Sequence, residues 1–151
     1  MSQTTVNILS QIAERIKDVN DKQIYGTYSS FTNFFSKNKE YCALGGVAKN
    51  MGMSEYDLFM KGGKYTHDFI ANKMSITEAE RKQCWQCSKC NLIRTTLQMF
   101  THLNDVHHVK FVEFPEVVKT IRPTSRPASN DFKVFYTVVK LYLKTHFYID
   151  H

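Results

Sequence analysis

Apolar residues recur at intervals of three and four near the start of the chain, and mostly charged residues occupy the opposite side. This spacing predicts an amphipathic helix over residues 4–19. Its apolar face comprises Val6, Leu9, Ile12, Ala13, Ile16 and Val19. The aromatic and hydroxylated stretch 24–35 follows no clear period, so we predict a mixture of strand and loop there.

Two more helices are predicted on either side of Gly52. The small and apolar residues that follow Glu40 indicate a helix ending at Gly52, because glycine commonly terminates a helix. Ser54 is a good N-cap for a second helix, which we expect to run to about Lys61. The glycine pair 62–63 is expected to stop it.

Three of these residues, Ala48, Gly52 and Leu58, have the spacing of a helix-turn-helix, which the segment resembles over about twenty residues. The exposed start of the second helix carries Glu55 and Asp57, which would face DNA phosphates with two negative charges. The favoured interpretation is therefore a pair of packed helices without a DNA contact.

The later part of the chain contains two recognisable boundaries. Ser75 and Glu78 form a capping-box pattern, which predicts a short helix over 76–83. Residues 122–131 combine proline, serine and charge without periodicity, which predicts a linker. In residues 132–151, lysines recur at helical spacing on an aromatic body, so we predict a C-terminal helix there.

Composition indicates one globular domain. The chain has 151 residues, of which 42% are apolar, with 6 Gly and 3 Pro, so a disordered or collagen-like chain is excluded. It shows neither a long apolar membrane span nor the layout of a signal peptide at residues 1–10. We expect an intracellular protein without a membrane partner, located in the cytoplasm or, if viral, in the host cell.

Positive charge is concentrated in one part of the chain. The formal net charge is +6, and residues 81–110 contain five basic residues and one acidic residue. A positive patch attracts phosphate backbones, although a basic isoelectric point is also common in proteins that bind no nucleic acid. Charge therefore favours a nucleic-acid partner only modestly.

Three of the four cysteines, Cys84, Cys87 and Cys90, lie within seven positions, and three histidines follow them. In a reducing compartment this crowding indicates a metal site rather than disulfides. Zn²⁺ accepts thiolate sulfur and imidazole nitrogen in a tetrahedron, whereas calcium and magnesium prefer oxygen-rich loops. The sequence therefore predicts a bound Zn²⁺.

Several ligand sets are compatible with the spacing. The first choice is Cys87, Cys90, His102 and His107. In one alternative Cys84 pairs with Cys87, which leaves fourteen residues before His102. In another, His108 replaces His107.

Residues 85–107 resemble the two-cysteine, two-histidine zinc finger. Besides the ligands, the segment has the aromatic residue before the cysteine pair, Trp85, and two apolar core positions, Ile93 and Met99. Eleven residues rather than the usual twelve separate Cys90 from His102, so a distorted hairpin is expected. A weaker similarity, through residues 42–45 and 102–107, is to small uncharacterised microbial and viral proteins and implies no function.

The zinc-finger resemblance implies a helix over about 95–104 that enters the major groove of duplex DNA, as in a small transcriptional regulator. The residues implied to face bases are Thr95, Gln98 and Thr101, and those implied to hold phosphates are Lys89, Arg94 and Lys110. The alternative is a protein-interaction or assembly module with a purely structural zinc, in which Leu97 and Phe100 are buried. Apolar residues on the helix support that alternative, but nucleic-acid binding is the function that we predict from the sequence.

An enzyme is not predicted. Residues 107–116, which follow a cysteine pair, resemble the first half of an HNH-type nuclease. The second half of that motif would need an asparagine and a histidine about one or two helical turns apart, commonly with a second cysteine pair. Here fifteen residues separate Asn130 from His146, and no cysteine follows Cys90. The chain shows neither a phosphate loop nor a nucleophile elbow, so no small-molecule substrate is expected.

The combined prediction is a mainly α fold with a minor β-hairpin at the cysteines. A helical domain is expected over 1–121, with the zinc finger embedded at 84–108. The linker 122–131 and the C-terminal helix over 132–151 follow, and that helix offers a surface for homodimer formation.

Overall fold

In a computed structural model the protein is described over residues 7–25 and 40–128. Helices make up about 54% of the described residues, and two small sheets accompany them. The described residues are therefore of mixed α/β class rather than clearly mainly α, because residues 22–23 pair with residues 40–41 and part of the predicted linker joins the other sheet. The predicted C-terminal helix over 132–151 and most of the stretch 24–35 lie outside the described residues. None of the described helices has the length and apolar character needed to cross a lipid bilayer.

The described residues form seven α-helices, a 3₁₀ turn and five short strands. The helices are α1 (Ile8–Lys17), α2 (Ala43–Asn50), α3 (Glu55–Met60), α4 (Gly62–Lys73), α5 (Glu78–Lys82), α6 (Thr96–Asp105) and α7 (Phe114–Val118), and the 3₁₀ turn is Phe111–Glu113. The strands are β1 (Lys22–Gln23), β2 (Glu40–Tyr41), β3 (Cys84–Gln86), β4 (Ile93–Thr95) and β5 (Arg122–Thr124). β1 pairs with β2 in parallel, and an antiparallel sheet has the order β4-β3-β5.

The first helix confirms the amphipathic pattern. α1 begins after Asn7, whose side-chain oxygen accepts a hydrogen bond from the Ser10 backbone N–H at 2.8 Å. This cap places the start later than the predicted residue 4. The predicted apolar positions Leu9, Ile12, Ala13, Ile16 and Val19 are buried. Val6 lies outside the described residues.

The helices around Gly52 differ from the prediction at one end. α2 begins at Ala43 rather than at Glu40, because Glu40 and Tyr41 pair with β1. Ser54 caps α3 as predicted, accepting a hydrogen bond from the Asp57 backbone N–H at 3.1 Å. The intervening turn needs Gly52, whose φ is +107°.

The segment between α3 and the cysteines holds more helix than predicted. α3 ends at Met60, just before the glycine pair as predicted, but a further helix that was not predicted, α4, begins at Gly62 and runs to Lys73. The capping box of α5 is formed by Thr77 and Glu80 rather than by Ser75 and Glu78. Ser75 lies in the turn before it, with a φ of +54°.

The core joins the two ends of the described chain. α1 packs against α2 and α7, and α6 packs against α2, α5 and the antiparallel sheet. The ring of Phe100 on α6 lies 5.8 Å, between centroids, from that of Phe114 on α7. α6 is therefore a core helix, and only a small part of its surface remains exposed to solvent.

A close approach between α2 and Val19, two residues after the end of α1, gives the first prediction. A Cβ added at Gly46 would lie 2.7 Å from Cγ1 of the buried Val19. Gly46→Ala is expected to lower the free energy of unfolding by about 1–3 kcal/mol through overpacking, measured by urea denaturation. In a Val19→Ala background the added methyl group has room, so the same substitution should cost much less. Equal losses in both backgrounds would contradict this contact.

Candidate metal centre

Cys87 and Cys90, the two cysteines of the first-choice ligand set, lie in the turn of the β3–β4 hairpin. The strands are fully in register, and the Cys87 N–H donates to the Leu92 carbonyl at 2.8 Å. Asn91 takes a φ of +68°, a left-handed conformation that asparagine tolerates, and its N–H donates to the Cys87 carbonyl at 2.9 Å. The expected distortion of strand pairing is absent, because the tight turn accommodates the shorter spacing.

The two histidines come from the end of α6 and the segment after it. Thr95 precedes the helix, and His102 lies in its later part, where its side chain is buried. The last helical bond runs from the Val106 N–H to the His102 carbonyl at 2.9 Å, so His107 follows directly after the helix. This chain path turns the two rings towards the hairpin.

The four side chains meet at one point. Sγ of Cys87 lies 3.6 Å from Nε2 of His107, and Sγ of Cys90 lies 3.1 Å from Nε2 of His102. The two Nε2 atoms are 3.2 Å apart, and all four atoms lie within 4.8 Å of one another. The group can therefore hold a metal ion.

These separations fit a tetrahedral ion. Bonds of about 2.3 Å to sulfur and about 2.0–2.1 Å to nitrogen correspond to sulfur–nitrogen separations of about 3.6 Å and nitrogen–nitrogen separations of about 3.3 Å. The observed sulfur–nitrogen distances of 3.6 and 3.1 Å and the nitrogen–nitrogen distance of 3.2 Å approach those values. The donor atoms are thus already arranged for coordination.

The local electrostatics keep the histidines neutral, which is the form that binds metals. Burial lowers the pKa of His102 to about 4, and the charges of His107 and Arg94 act in the same direction. Burial also lowers the pKa of His107, with smaller contributions from Lys89 and His108. Both imidazoles therefore offer a free lone pair at neutral pH.

The environment of Cys87 disfavours the thiolate, which is the form of cysteine that binds metals. Burial raises its pKa, although backbone hydrogen bonds from Lys89 and Cys90 lower it. The Lys89 N–H lies 3.4 Å from the sulfur. A divalent cation would supply the positive charge that a buried thiolate requires. Cys90 is exposed, so the cluster reaches the surface on that side.

The two alternative ligands lie outside the cluster. Sγ of Cys84 is instead 3.6 Å from the carbonyl oxygen of Lys82. His108 is exposed, and its ring lies 4.4 Å from that of Tyr25, measured between centroids. The structure thus brings together the first-choice set and neither alternative.

The residues implied to contact DNA are placed unevenly. Lys89, Lys110 and Gln98 are exposed, whereas Thr95 and Thr101 are half-buried. Arg94 is only 6% exposed, and its guanidinium donates to the Ile93 carbonyl at 2.9 Å. The face of α6 implied to read bases is therefore narrow.

Sequence reasoning missed a buried polar network on the same helix. The side-chain oxygen of Asn104 accepts hydrogen bonds from Gln23 Nε2 at 2.8 Å and from the Ala43 N–H at 3.1 Å. Its side-chain nitrogen donates to the Ile24 carbonyl at 3.0 Å and to Asp105 at 2.8 Å. The available signal was a polar residue at the helical spacing of the apolar positions Leu97 and Phe100.

Gln23 extends this network to the chain after His107. Its amide nitrogen donates to the Val109 carbonyl at 2.7 Å, and its amide oxygen accepts from the Phe111 N–H at 3.1 Å. The segment that follows His107 is thereby fixed to β1.

A second polar link holds the hairpin against α5. Trp85 donates from its indole nitrogen to the hydroxyl of Thr96 at 2.9 Å, and that hydroxyl donates to the Glu80 carbonyl. Both Trp85 and Thr96 are buried. The tryptophan that the sequence marked as the aromatic before the cysteine pair thus packs inside the domain.

Comparison with known protein families, characterised proteins and solved structures finds no match for this chain. The resemblance to a zinc finger therefore depends on the local residue spacing and on the geometry of the four side chains. No family function is carried over to the rest of the chain.

Proposed function

We propose that Cys87, Cys90, His102 and His107 bind one Zn²⁺ and that this ion stabilises the fold. The observation that carries the proposal is the convergence of two sulfur and two Nε2 atoms within 4.8 Å. Two thiolates and two imidazoles suit zinc, whereas calcium and magnesium require oxygen ligands. Four protein ligands also complete the tetrahedron, and a catalytic zinc usually keeps one position open.

The ion would join three parts of the chain. The cysteines lie on the β3–β4 turn, His102 lies on α6, and His107 lies on the segment that Gln23 holds. In zinc-finger peptides the apparent binding free energy is about 10–16 kcal/mol at neutral pH and contributes directly to folding. A comparable ion here would stabilise the whole antiparallel sheet and its contact with α6.

Metal analysis of the purified chain tests this proposal. We expect one zinc per wild-type chain and none in Cys90→Ser, which changes an exposed ligand with little cost to packing. Cys84→Ser is the matched control, because it makes the same change in the same hairpin outside the cluster, and it should keep its zinc. Cobalt substitution should give the intense visible absorption of a tetrahedral thiolate site. A zinc-free wild-type protein, or equal loss in Cys84→Ser, would disprove the assignment.

A second candidate function is nucleic-acid binding, which one specific observation favours. Residues 81–128 contain eight basic and three acidic residues, whereas residues 40–80 contain four basic and six acidic residues. The positive surplus is therefore located on the part of the chain that forms the metal centre. Binding to a mixed-sequence duplex that weakens steeply with added salt would support this function. Its absence would leave the structural zinc and favour an interaction or assembly module.

A further inference from the structure

We propose that nucleic-acid phosphates bind to the outer side of the hairpin turn rather than to α6. We call this region the turn surface and define it by Ser88, Lys89, Lys119, Thr120 and Arg122. The inference rests on the second proposed function, nucleic-acid binding, and assigns its binding surface.

Two contacts bring the turn surface together. The hydroxyl oxygens of Ser88 and Thr120 lie 2.7 Å apart, which joins the cysteine turn to the chain after α7. In the antiparallel sheet, Arg122 pairs with Gln86, two residues before Ser88. Lys89 and Lys119 are adjacent in sequence to the two hydroxyl residues.

The charges of this surface are available to a ligand. Ser88, Lys89, Lys119, Thr120 and Arg122 are all exposed. Among the residues that the structure describes, no carboxylate lies within 4.0 Å of the cationic groups of Lys89 or Arg122. Lys119 contacts Glu116 at 2.9 Å, but both side chains are mostly exposed and such pairs contribute little. The lysine can therefore exchange this partner for a phosphate.

The residues of the outer strand β5 favour binding of a polyanion over pairing with an added peptide strand. β5 is an outer strand of the antiparallel sheet, and its central residue is Pro123, which has no backbone N–H. Proline on an edge strand hinders pairing with another strand. Hydroxyl, lysine and arginine side chains are, in contrast, the common phosphate contacts of nucleic-acid-binding proteins.

Fluorescence anisotropy with a labelled mixed-sequence duplex of about 20 base pairs tests the turn surface. The variant Lys89→Glu/Arg122→Glu should bind the duplex at least tenfold more weakly than the wild type. The slope of its log affinity against log salt concentration should fall by the amount that corresponds to about two phosphate contacts. Lys61→Glu/Lys73→Glu is the matched control, because it makes the same charge change at exposed lysines on the α3–α4 side. It should bind within about threefold of the wild type. Both variants must retain one zinc, which separates lost contacts from a collapsed metal centre.

The possible results distinguish the surface from the function. If the wild type binds the duplex and both charge variants bind equally, nucleic-acid binding stands and the turn surface is wrong. If Gln98→Ala/Thr101→Ala weakens binding while the turn-surface variant does not, α6 is the binding element. If the wild type binds neither duplex nor single strand, or binds only vesicles containing phosphatidylserine, both the surface and the second function are disproved.

Discussion

Replacing His102 with alanine is expected to release the metal ion and to unfold the region built around α6. His102 is 5% exposed and its ring lies close to both His107 and Cys90, so the substitution removes a proposed ligand and leaves a cavity. Structural zinc contributes about 10–16 kcal/mol in isolated fingers, and whole domains are stable by only about 5–15 kcal/mol. Metal analysis and thermal unfolding followed by circular dichroism would measure the two effects together.

His108→Ala provides the control for this prediction. It makes the same residue change at an exposed histidine outside the cluster, so it should keep one zinc and change stability by less than about 1 kcal/mol. Removal of the ion from the wild type with a chelator should reproduce the instability of His102→Ala. A metal-free His102→Ala protein that melts at the wild-type temperature would show that the ion does not hold the fold.

Replacing Asn104 with alanine is expected to lower the free energy of unfolding by about 3–5 kcal/mol even when zinc is bound. The substitution leaves the buried Ala43 N–H and the Ile24 carbonyl without the hydrogen-bond partner that Asn104 supplies. It also removes the hydrogen bond that the Gln23 amide nitrogen donates to Asn104, so that amide keeps only its bonds to the chain after His107. Urea denaturation at saturating zinc would measure the loss.

Two further variants make this prediction specific. Val106→Ala, at a residue directly after the same helix with 60% of its surface exposed, should cost less than about 0.5 kcal/mol. Asn104→Asp preserves the shape of the side chain but replaces the donor that bonds the Ile24 carbonyl, so it should destabilise the protein nearly as much as alanine. A loss below about 1 kcal/mol for both Asn104 variants would mean that the network does not hold α6 in place.

The group of four side chains that could hold a metal was predictable from sequence because their spacing is a local property. A cysteine pair on a hairpin turn and a histidine late in the following helix need only short stretches of regular structure to meet. The spacing alone allowed Cys84 in place of Cys90, and the structure places Cys90 rather than Cys84 in the group that could hold a metal ion. Cys84 is part of β3 and pairs with Thr95 and Thr124, so it precedes the turn that gathers the ligands.

The hydrogen bonds of Asn104 and the strand β5, which surround the segment 84–108, depend on contacts between residues far apart in sequence. Asn104 bonds Ala43 and Gln23, which are 61 and 81 positions away, and no local pattern connects them. The same limit explains the missed strand β5. Arg122–Thr124 has the composition of a linker, and it forms a strand because β3 offers a free edge.

Helix α4 was missed because its first residues favour a stop. The glycine pair 62–63 has low helix propensity, and propensity was the only local signal there. Tertiary packing overrides it, since Thr66 and Ile70 of α4 are fully buried. The burial of α1, in contrast, followed directly from its apolar stripe.

The burial of α6 in the common core sets the segment 84–108 apart from the independent units of multi-finger proteins. In multi-finger proteins successive units repeat along the DNA groove, each reading a few base pairs. Here Phe100 and Leu103 on α6 are fully buried in a core that also contains residues of α1 and α7. A duplicated segment 84–108 would carry these apolar side chains without that core to cover them, so each copy would expose an apolar surface that the intact domain buries.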